Sequence, residues 1–371
     1  MQITSVEALH LRLPKVERKS DGTQDVAIVR ITTDEGHVGY GEAVTSGTVV
    51  RAIVDAPLST PHRHGLGVIL VGKDPLDPEA RWRDMYDGSS WYGRRGVVIH
   101  AMSAIDIALW DIVGKAANKP CYALWGGRRD RVRAYASMLF PDTPREATEL
   151  AARRLADGFT AVKFGWGSFG YDEARDRSMM RAIRDVVGDE FALMVDVGRR
   201  WAADHAIEQA AWLFGEFGIL WLEEPLDPDD VEGYRRLASV ANGRIAGGEA
   251  DETISSFDSL IDAGLKVLQP DVGRAGGLTM TRKISTRAYS AGVWCVPHCF
   301  GSGISLAASL HWMAAAEEAQ FNEYPVTASP LRNDLVSGLP KLADGDVTIP
   351  QGPGLGITIN DDVIERYRVW P

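Results

Sequence analysis

Polar and apolar residues alternate through the first 45 positions of the chain. That period of two predicts a β-meander: a strand over 2–13, a polar loop KVERKSDGTQD, a strand over 26–32, a turn at Asp34-Glu35-Gly36 and a strand over 37–43. Over 76–118 the period becomes helical, and Ile105, Ala108, Leu109 and Ile112 take the i, i+3, i+4, i+7 spacing that lines one face. The first segment therefore reads as an α+β unit. From about residue 130 strands and helices alternate, with candidate strands at 132–138, 159–164, 191–196, 218–223, 245–249, 266–271, 293–297 and 319–323. Between the third and fourth of these, Ile207, Ala210, Ala211 and Phe214 form a helical face to pack on a sheet. Eight strands so spaced predict an α/β protein with a TIM-type parallel barrel rather than an open sheet. After residue 340 the text QGPGLGITINDDV returns to turns and strand, as in a tail that packs back on the first unit. The expected division is an α+β unit over 1–125, the barrel over 126–340 and the returning segment over 341–371.

Composition narrows the class. Of 371 residues, 45% are hydrophobic and 25% charged, which is ordinary for a globular protein with a large core. A formal net charge of −11 argues against a nucleic-acid surface. It leaves open an anionic small molecule, because a local basic pocket with a metal binds an anion inside an acidic protein. Three cysteines, Cys121, Cys295 and Cys299, are too few to staple such a fold, and MQITSVEALHLRLP lacks the charged start and apolar run of a signal peptide. No stretch approaches 18 uninterrupted apolar residues. The expectation is a cytoplasmic protein with neither a membrane nor a nucleic-acid partner.

Candidate chemistry collects at the strand ends. Asp196 in FALMVDVG, Glu223 in ILWLEEP and Glu249 in RIAGGEA are 27 and 26 residues apart, one βα unit each, so a parallel barrel brings all three to one rim. Each alone also fits a helix cap or a solvated acid. Three in succession after apolar runs bury several charges together, and buried charges need a partner. A hard divalent cation such as Mg²⁺ takes oxygen ligands and keeps positions for substrate oxygens. Two further strand ends carry Asp271 in VLQPDVGRAGG and His298 in VWCVPHCFGSG. In such a dyad the carboxylate fixes the imidazole tautomer and raises its basicity, as a general base requires. Cys295, His298 and Cys299 also raise zinc, but no fourth ligand is evident and Cys295 lies within its strand. Lys163 in TAVKFG ends the second barrel strand and would face inward to bind a substrate carboxylate. Glu323 in QFNEYP ends the eighth and, as a neutral carboxylic acid, would donate a hydrogen bond to an enolic oxygen.

Taken in order, RRGVVIHAMSAIDIALWDIVGKAANKP, VKFG, MVDVG, WLEEP, GGE, QPDVGRAGGLT and VPHCFGSGI resemble the mandelate racemase and muconate-lactonizing family of the enolase superfamily. The resemblance covers nearly the whole chain. It implies a modified (β/α)₇β barrel under an α+β capping domain, one Mg²⁺ per subunit on Asp196, Glu223 and Glu249, an Asp271–His298 dyad, Glu323 as hydrogen-bond donor, and a homo-oligomer, dimer or octamer. Two positions depart from it. Members of the mandelate racemase-like group often carry Lys-x-Lys on the second strand, where this chain has Lys163-Phe164-Gly165. Strand alternation points 163 and 165 the same way, so the usual opposite-face base is replaced by a residue with no side chain. Gly198 stands where relatives often place a polar residue, which predicts room for a longer substrate.

The chemistry so implied is removal of a proton α to a carboxylate, with negative charge gathering on the carboxylate oxygens as an enediolate forms. Where the β-carbon bears a hydroxyl, protonated His298 can return the proton to it on the same face. The expectation is an acid-sugar dehydratase, a hydro-lyase that converts an aldonate or aldarate to its 2-keto-3-deoxy acid. Lys19 and Asp21 on the first loop, Tyr92 and Arg94 in the capping unit, and Trp166 after the second strand are the expected substrate contacts. A racemase or epimerase would need a second base such as Lys163 itself. A cycloisomerase takes less polar substrates and usually keeps the lysine pair, and a barrel that binds without turnover is the non-enzymatic alternative.

Overall fold

In the computed structural model, which describes residues 1–18, 22–339 and 341–370, the chain opens with a three-stranded antiparallel sheet of β1 (Ile3–Arg12), β2 (Asp25–Thr33) and β3 (Val38–Ala43). Both faces of β2 are buried. Ala27, Val29 and Ile31 pack into the capping core with the helix Val97–Ala116, while Val26 and Ile28 join the core shared with the barrel. The helix lies so close to β3 that a Cβ on Gly41 would stand 1.9 Å from the Ala104 carbonyl oxygen, so the strand admits only glycine there. By length and composition this helix could cross a membrane, but 78% of its apolar stretch is buried within the fold.

Eight parallel strands follow: β4 (Arg131–Leu139), β5 (Ala161–Gly165), β6 (Ala192–Asp196), β7 (Trp221–Glu223), β8 (Arg244–Gly247), β9 (Val267–Leu268), β10 (Trp294–Cys295) and β11 (Asn322–Pro325). Their hydrogen-bonded order is β11-β4-β5-β6-β7-β8-β9-β10. A helix of nine or more residues follows each of β4 to β10, whereas β11 is followed by the single turn Pro330–Asn333. The chain is thus a (β/α)₇β barrel beneath an α+β capping domain, the fold class read from the sequence. Strands β8 and β9 stop short of the acids expected to end them. Gly248, at φ +115°, turns the chain after β8, and Pro270 has no N–H to continue the ladder after β9.

One inward side chain from each strand or the residue flanking it fills the barrel beneath the site: Tyr135, Ala161, Met194, Trp221, Ala246, Val267, Val296 and Phe321 form a buried layer of their own. Tyr135, Trp221 and Phe321 meet edge to face within it. Because side chains alternate, the residues two positions further on (Lys163, Asp196, Glu223) also face inward, one level higher. The tail divides its contacts. Asp346–Thr348 extends the barrel sheet antiparallel to β4, and Val369 donates its N–H to the His10 carbonyl of β1 at 2.8 Å.

Polar contacts lock the two domains. Glu42 of β3 accepts from the Ser302 and Ser305 amides at 2.8 and 3.0 Å and from the Ser302 hydroxyl at 2.6 Å, which caps the helix Gly303–Ala315 just beyond His298. Asp106 accepts the Thr279 N–H at 2.8 Å.

Candidate active site

Strand register brings the acids together. Gly165, Asp196 and Glu223 are successive partners across β5, β6 and β7, and Glu249 lies two residues beyond β8. One carboxylate oxygen from each of Asp196, Glu223 and Glu249 lies within 4.8 Å of the others, and all three residues are buried. Burial and the neighbouring carboxylates push Asp196 well above the usual carboxylate range and raise Glu223 as well. Such a cluster is unfavourable without a cation.

Fixed bonds orient it. Glu223 Oε2 accepts from Trp221 Nε1 at 2.9 Å and from Gln269 Nε2 at 2.6 Å, and Asp196 Oδ1 accepts from the Gly198 amide at 2.9 Å. Three hard oxygen donors, buried and held by a second tier of donors, fit a divalent metal ion.

Asp271 and His298 are bridge partners at the ends of β9 and β10. His298 Nδ1 lies 2.6 Å from Asp271 Oδ2 and its Nε2 lies 3.5 Å from Glu249 Oε2. Asp271, being a carboxylate, accepts the Nδ1–H, so that in the neutral imidazole the Nε2 lone pair faces the acidic cluster. Burial pulls the imidazole pKa down, but Glu249, the bond from Asp271 and Glu323 outweigh it and push the value up to about 9.

Lys163 Nζ donates to Glu223 Oε1 and lies 2.9 Å from Glu323 Oε1. Burial opposes its charge, yet these carboxylates hold its pKa well above the ordinary lysine value. Burial likewise opposes the Glu323 carboxylate. Lys163, His298, Ser137 and the Cys299 amide, whose N–H reaches it at 2.5 Å, prevail and hold it down to about 2. Glu323 is therefore an ionised acceptor in this arrangement, whereas the neutral donor expected from the sequence belongs to a site with an anion bound beside it. An ammonium beside it is the cause of the ionised form.

Above these groups opens a cavity of about 450 Å³, within the range of small-molecule sites. Trp166 lines it, as do His298, Glu323, Lys163, Asp196 and Glu249. Tyr92 and Arg94 do not: Arg94 is exposed, and Tyr92 gives its hydroxyl to the His64 carbonyl at 2.6 Å. Lys19 and Asp21 lie outside the described residues. The room expected at Gly198 is taken by Trp166, whose indole would stand 2.6 Å from a Cβ there. At Gly165 a Cβ would lie 2.7 Å from Asp196 Oδ2, so the missing second lysine also leaves Asp196 uncrowded.

Sequence reading missed two arginines that line the cavity, Arg199 and Arg274. A signal was there: the tetrapeptide Asp-Val-Gly-Arg occurs at 196–199 and again at 271–274. In both copies the aspartate Oδ1 accepts the amide of the glycine two residues on, at 2.9 and 2.7 Å, and this turn sends the arginine into the mouth of the barrel.

Comparisons with known proteins agree with this geometry. Residues 3–126 match the mandelate racemase / muconate lactonizing enzyme N-terminal domain, and residues 146–363 match the enolase C-terminal domain-like family. The chain is 35% identical to D-galactarolactone cycloisomerase of Agrobacterium fabrum, over 92% of this chain and 91% of that protein. It is 32% identical to arabinonate dehydratase of Saccharolobus solfataricus, over 93% and 91%. A racemase structure from Streptomyces coelicolor with bound magnesium superposes with a TM-score of 0.87 at 30% identity, covering 99% of this chain and all of that one.

Proposed function

The chain belongs to the mandelate racemase / muconate lactonizing enzyme family of the enolase superfamily, and from that membership we propose that it dehydrates a sugar acid, an aldonate or aldarate, to the 2-keto-3-deoxy acid. One observation carries the reading: a buried imidazole base stands on one side of the cavity, and among the described residues that line it no second base answers it. Gly165 has no side chain, and Lys163 is held as an ammonium between Glu223 and Glu323. Racemisation needs a partner for His298; elimination does not.

One Mg²⁺ per subunit, held by Asp196, Glu223 and Glu249, would supply positive charge to the carboxylate whose α-carbon is deprotonated. Magnesium in the Streptomyces coelicolor structure supports that choice of ion. Lys163 adds a fixed ammonium beside the same oxygens, in a buried setting where each charge counts for more than in water. His298 Nε2 takes the α-proton as Asp271 stabilises the resulting imidazolium. The same imidazolium then gives that proton to the β-hydroxyl. The C–O bond breaks, water leaves, and the enol tautomerises to the keto acid. Atoms balance with one base.

A lactone cycloisomerase is the second reading, favoured by the 35% identity to D-galactarolactone cycloisomerase. It shares the first step and differs in the leaving oxygen, which stays tethered through the ring. Incubation of the Mg²⁺-loaded enzyme with aldonates, aldarates and their lactones, with semicarbazide detection of α-keto acid, tests both. Keto acid from the open-chain acids is expected. Isomerised acid with α-deuterium from D₂O and no keto acid would overturn dehydration in favour of a racemase, and no exchange with any acid would point to a binding protein.

A further inference from the structure

The two Asp-Val-Gly-Arg turns place their arginines in one cavity but use them differently. Arg274 is committed: its Nε donates to the Val44 carbonyl and its Nη1 to the Glu249 carbonyl, each at 3.0 Å, so it ties the capping domain to the metal-side loop. Arg200, next to the first turn, is committed too, with its guanidinium donating to the Phe169 and Gly167 carbonyls. Lys163 is taken up by Glu223 and Glu323. Arg199 differs from all three. It forms one loose ion pair, Nε to the buried Glu224 Oε2 at 3.7 Å, beyond hydrogen-bond distance, and its side chain is 41% exposed.

The chain goes to some lengths to put that guanidinium there. Arg199 itself has φ +64° and Trp166 has φ +51°, both in the left-handed region that non-glycine residues rarely adopt. The Arg199 guanidinium lies over the Trp166 ring, 5.6 Å from its centroid, and Gly198 clears the space in which the indole sits. An arginine backed by an aromatic face, with no side-chain hydrogen bond to any described residue and a cavity before it, suits a carboxylate taken up two-pronged.

Resting on the proposed reading of the site, we infer that Arg199, backed by Trp166, binds a second anionic group at the far end of the substrate, so that the enzyme takes aldarates, or their mono-lactones, in preference to aldonates. The reacting carboxylate would be met by Lys163 and by the cation that Asp196, Glu223 and Glu249 would hold, and Arg199 meets the other.

The test compares two probes that differ only at that end: galactarate, with a terminal carboxylate, and galactonate, with a terminal hydroxymethyl. Binding to the Mg²⁺-loaded protein is read by calorimetry, and kcat/KM for each is read where keto acid forms. The unaltered protein is expected to favour galactarate. In Arg199→Gln the galactarate-to-galactonate ratio should fall by about tenfold or more, as for loss of charge-assisted hydrogen bonds, mostly through KM. Arg199→Lys, which keeps the charge but not the fork, should recover part of the ratio and so separate recognition from general damage. A preference for galactonate, no binding of either probe, or a ratio that Arg199→Gln leaves unmoved would overturn the inference. A galactarate preference that Arg199→Gln erases, in a protein that forms no keto acid, would sink the dehydratase reading and leave this one standing.

Discussion

The imidazole of His298 has one nitrogen given to Asp271 and the other turned to the acidic cluster, and that asymmetry sets what its loss should do. His298→Asn removes the proton acceptor while leaving the carboxylates and Lys163 in place. Turnover should fall by about 10⁴, and exchange of the α-hydrogen with D₂O should stop with it. Exchange that survives the substitution would mean another group takes the proton. Gly198 offers a test of a different kind. Its φ of +64° and the indole, which would stand 2.6 Å from a Cβ at this position, leave no room for even a methyl group. Gly198→Ala should therefore cost about 1–2 kcal/mol of stability from the backbone alone and displace Trp166 from the cavity wall. A raised KM with kcat little changed, together with a lowered melting temperature, is the expected pair of readings. An unchanged KM would show that the indole plays no part in holding substrate.

Among the elements, the helix Val97–Ala116 carries the seam between the domains, and Asp106 at its centre is fully buried with one oxygen lacking a hydrogen-bond partner. Burial outweighs the Thr279 N–H and pushes its carboxyl up to about 7. Because the folded pKa exceeds the unfolded one, the native protein holds more protons between pH 4 and 7. Stability from this group is therefore present at low pH and lost as pH rises through 7. Asp106→Asn removes the ionisable group at nearly the same shape. Its melting temperature should gain on the parent protein as pH goes from 5 to 8, by an equivalent on the order of 3 kcal/mol; an equal gain at both pH values would refute the assignment. How far such elements can be read from sequence depends on how large the marker residues are. Of the face expected from Ile207, Ala210, Ala211 and Phe214, Ala210 is buried and Ile207 and Phe214 pack at the core's edge, but Ala211 is exposed and the fully buried stripe runs Ala206, Ala210, Leu213, Phe217. Alanine marks a helix face poorly because it buries little area either way. The strand-end acids were legible because a charge after an apolar run is conspicuous. Arg199 was not, since a surface arginine looks the same in sequence whether or not its fork is free.

Across the whole molecule, the capping sheet, the eight strands and the tail converge on one crowded group of carboxylates, and their mutual repulsion links metal binding to pH. Asp196 and Glu223 both have folded pKa values raised by burial and by neighbouring charge. Each binds protons in the native state at a pH where the unfolded chain has released them, so the metal-free protein should lose stability as pH rises above about 4. His298 adds to the same slope, since its contribution is complete below its unfolded value near 6.5 and is lost as pH rises through about 9. A divalent ion replaces those protons and removes the repulsion. Thermal melts with EDTA and with Mg²⁺ should therefore diverge as pH climbs from 5.5 to 8. At a hundredfold excess over Kd the ion contributes about 2.7 kcal/mol, enough to move the melting temperature by a few degrees. In the double variant Asp196→Asn, Glu249→Gln the Mg²⁺-dependent shift should vanish, and the EDTA melt should lose part of its pH slope because two of the repelling charges are gone. A Mg²⁺ shift that persists in that variant would place the ion elsewhere. A shift that shrinks with rising pH would contradict the view that metal and protons compete for one cluster.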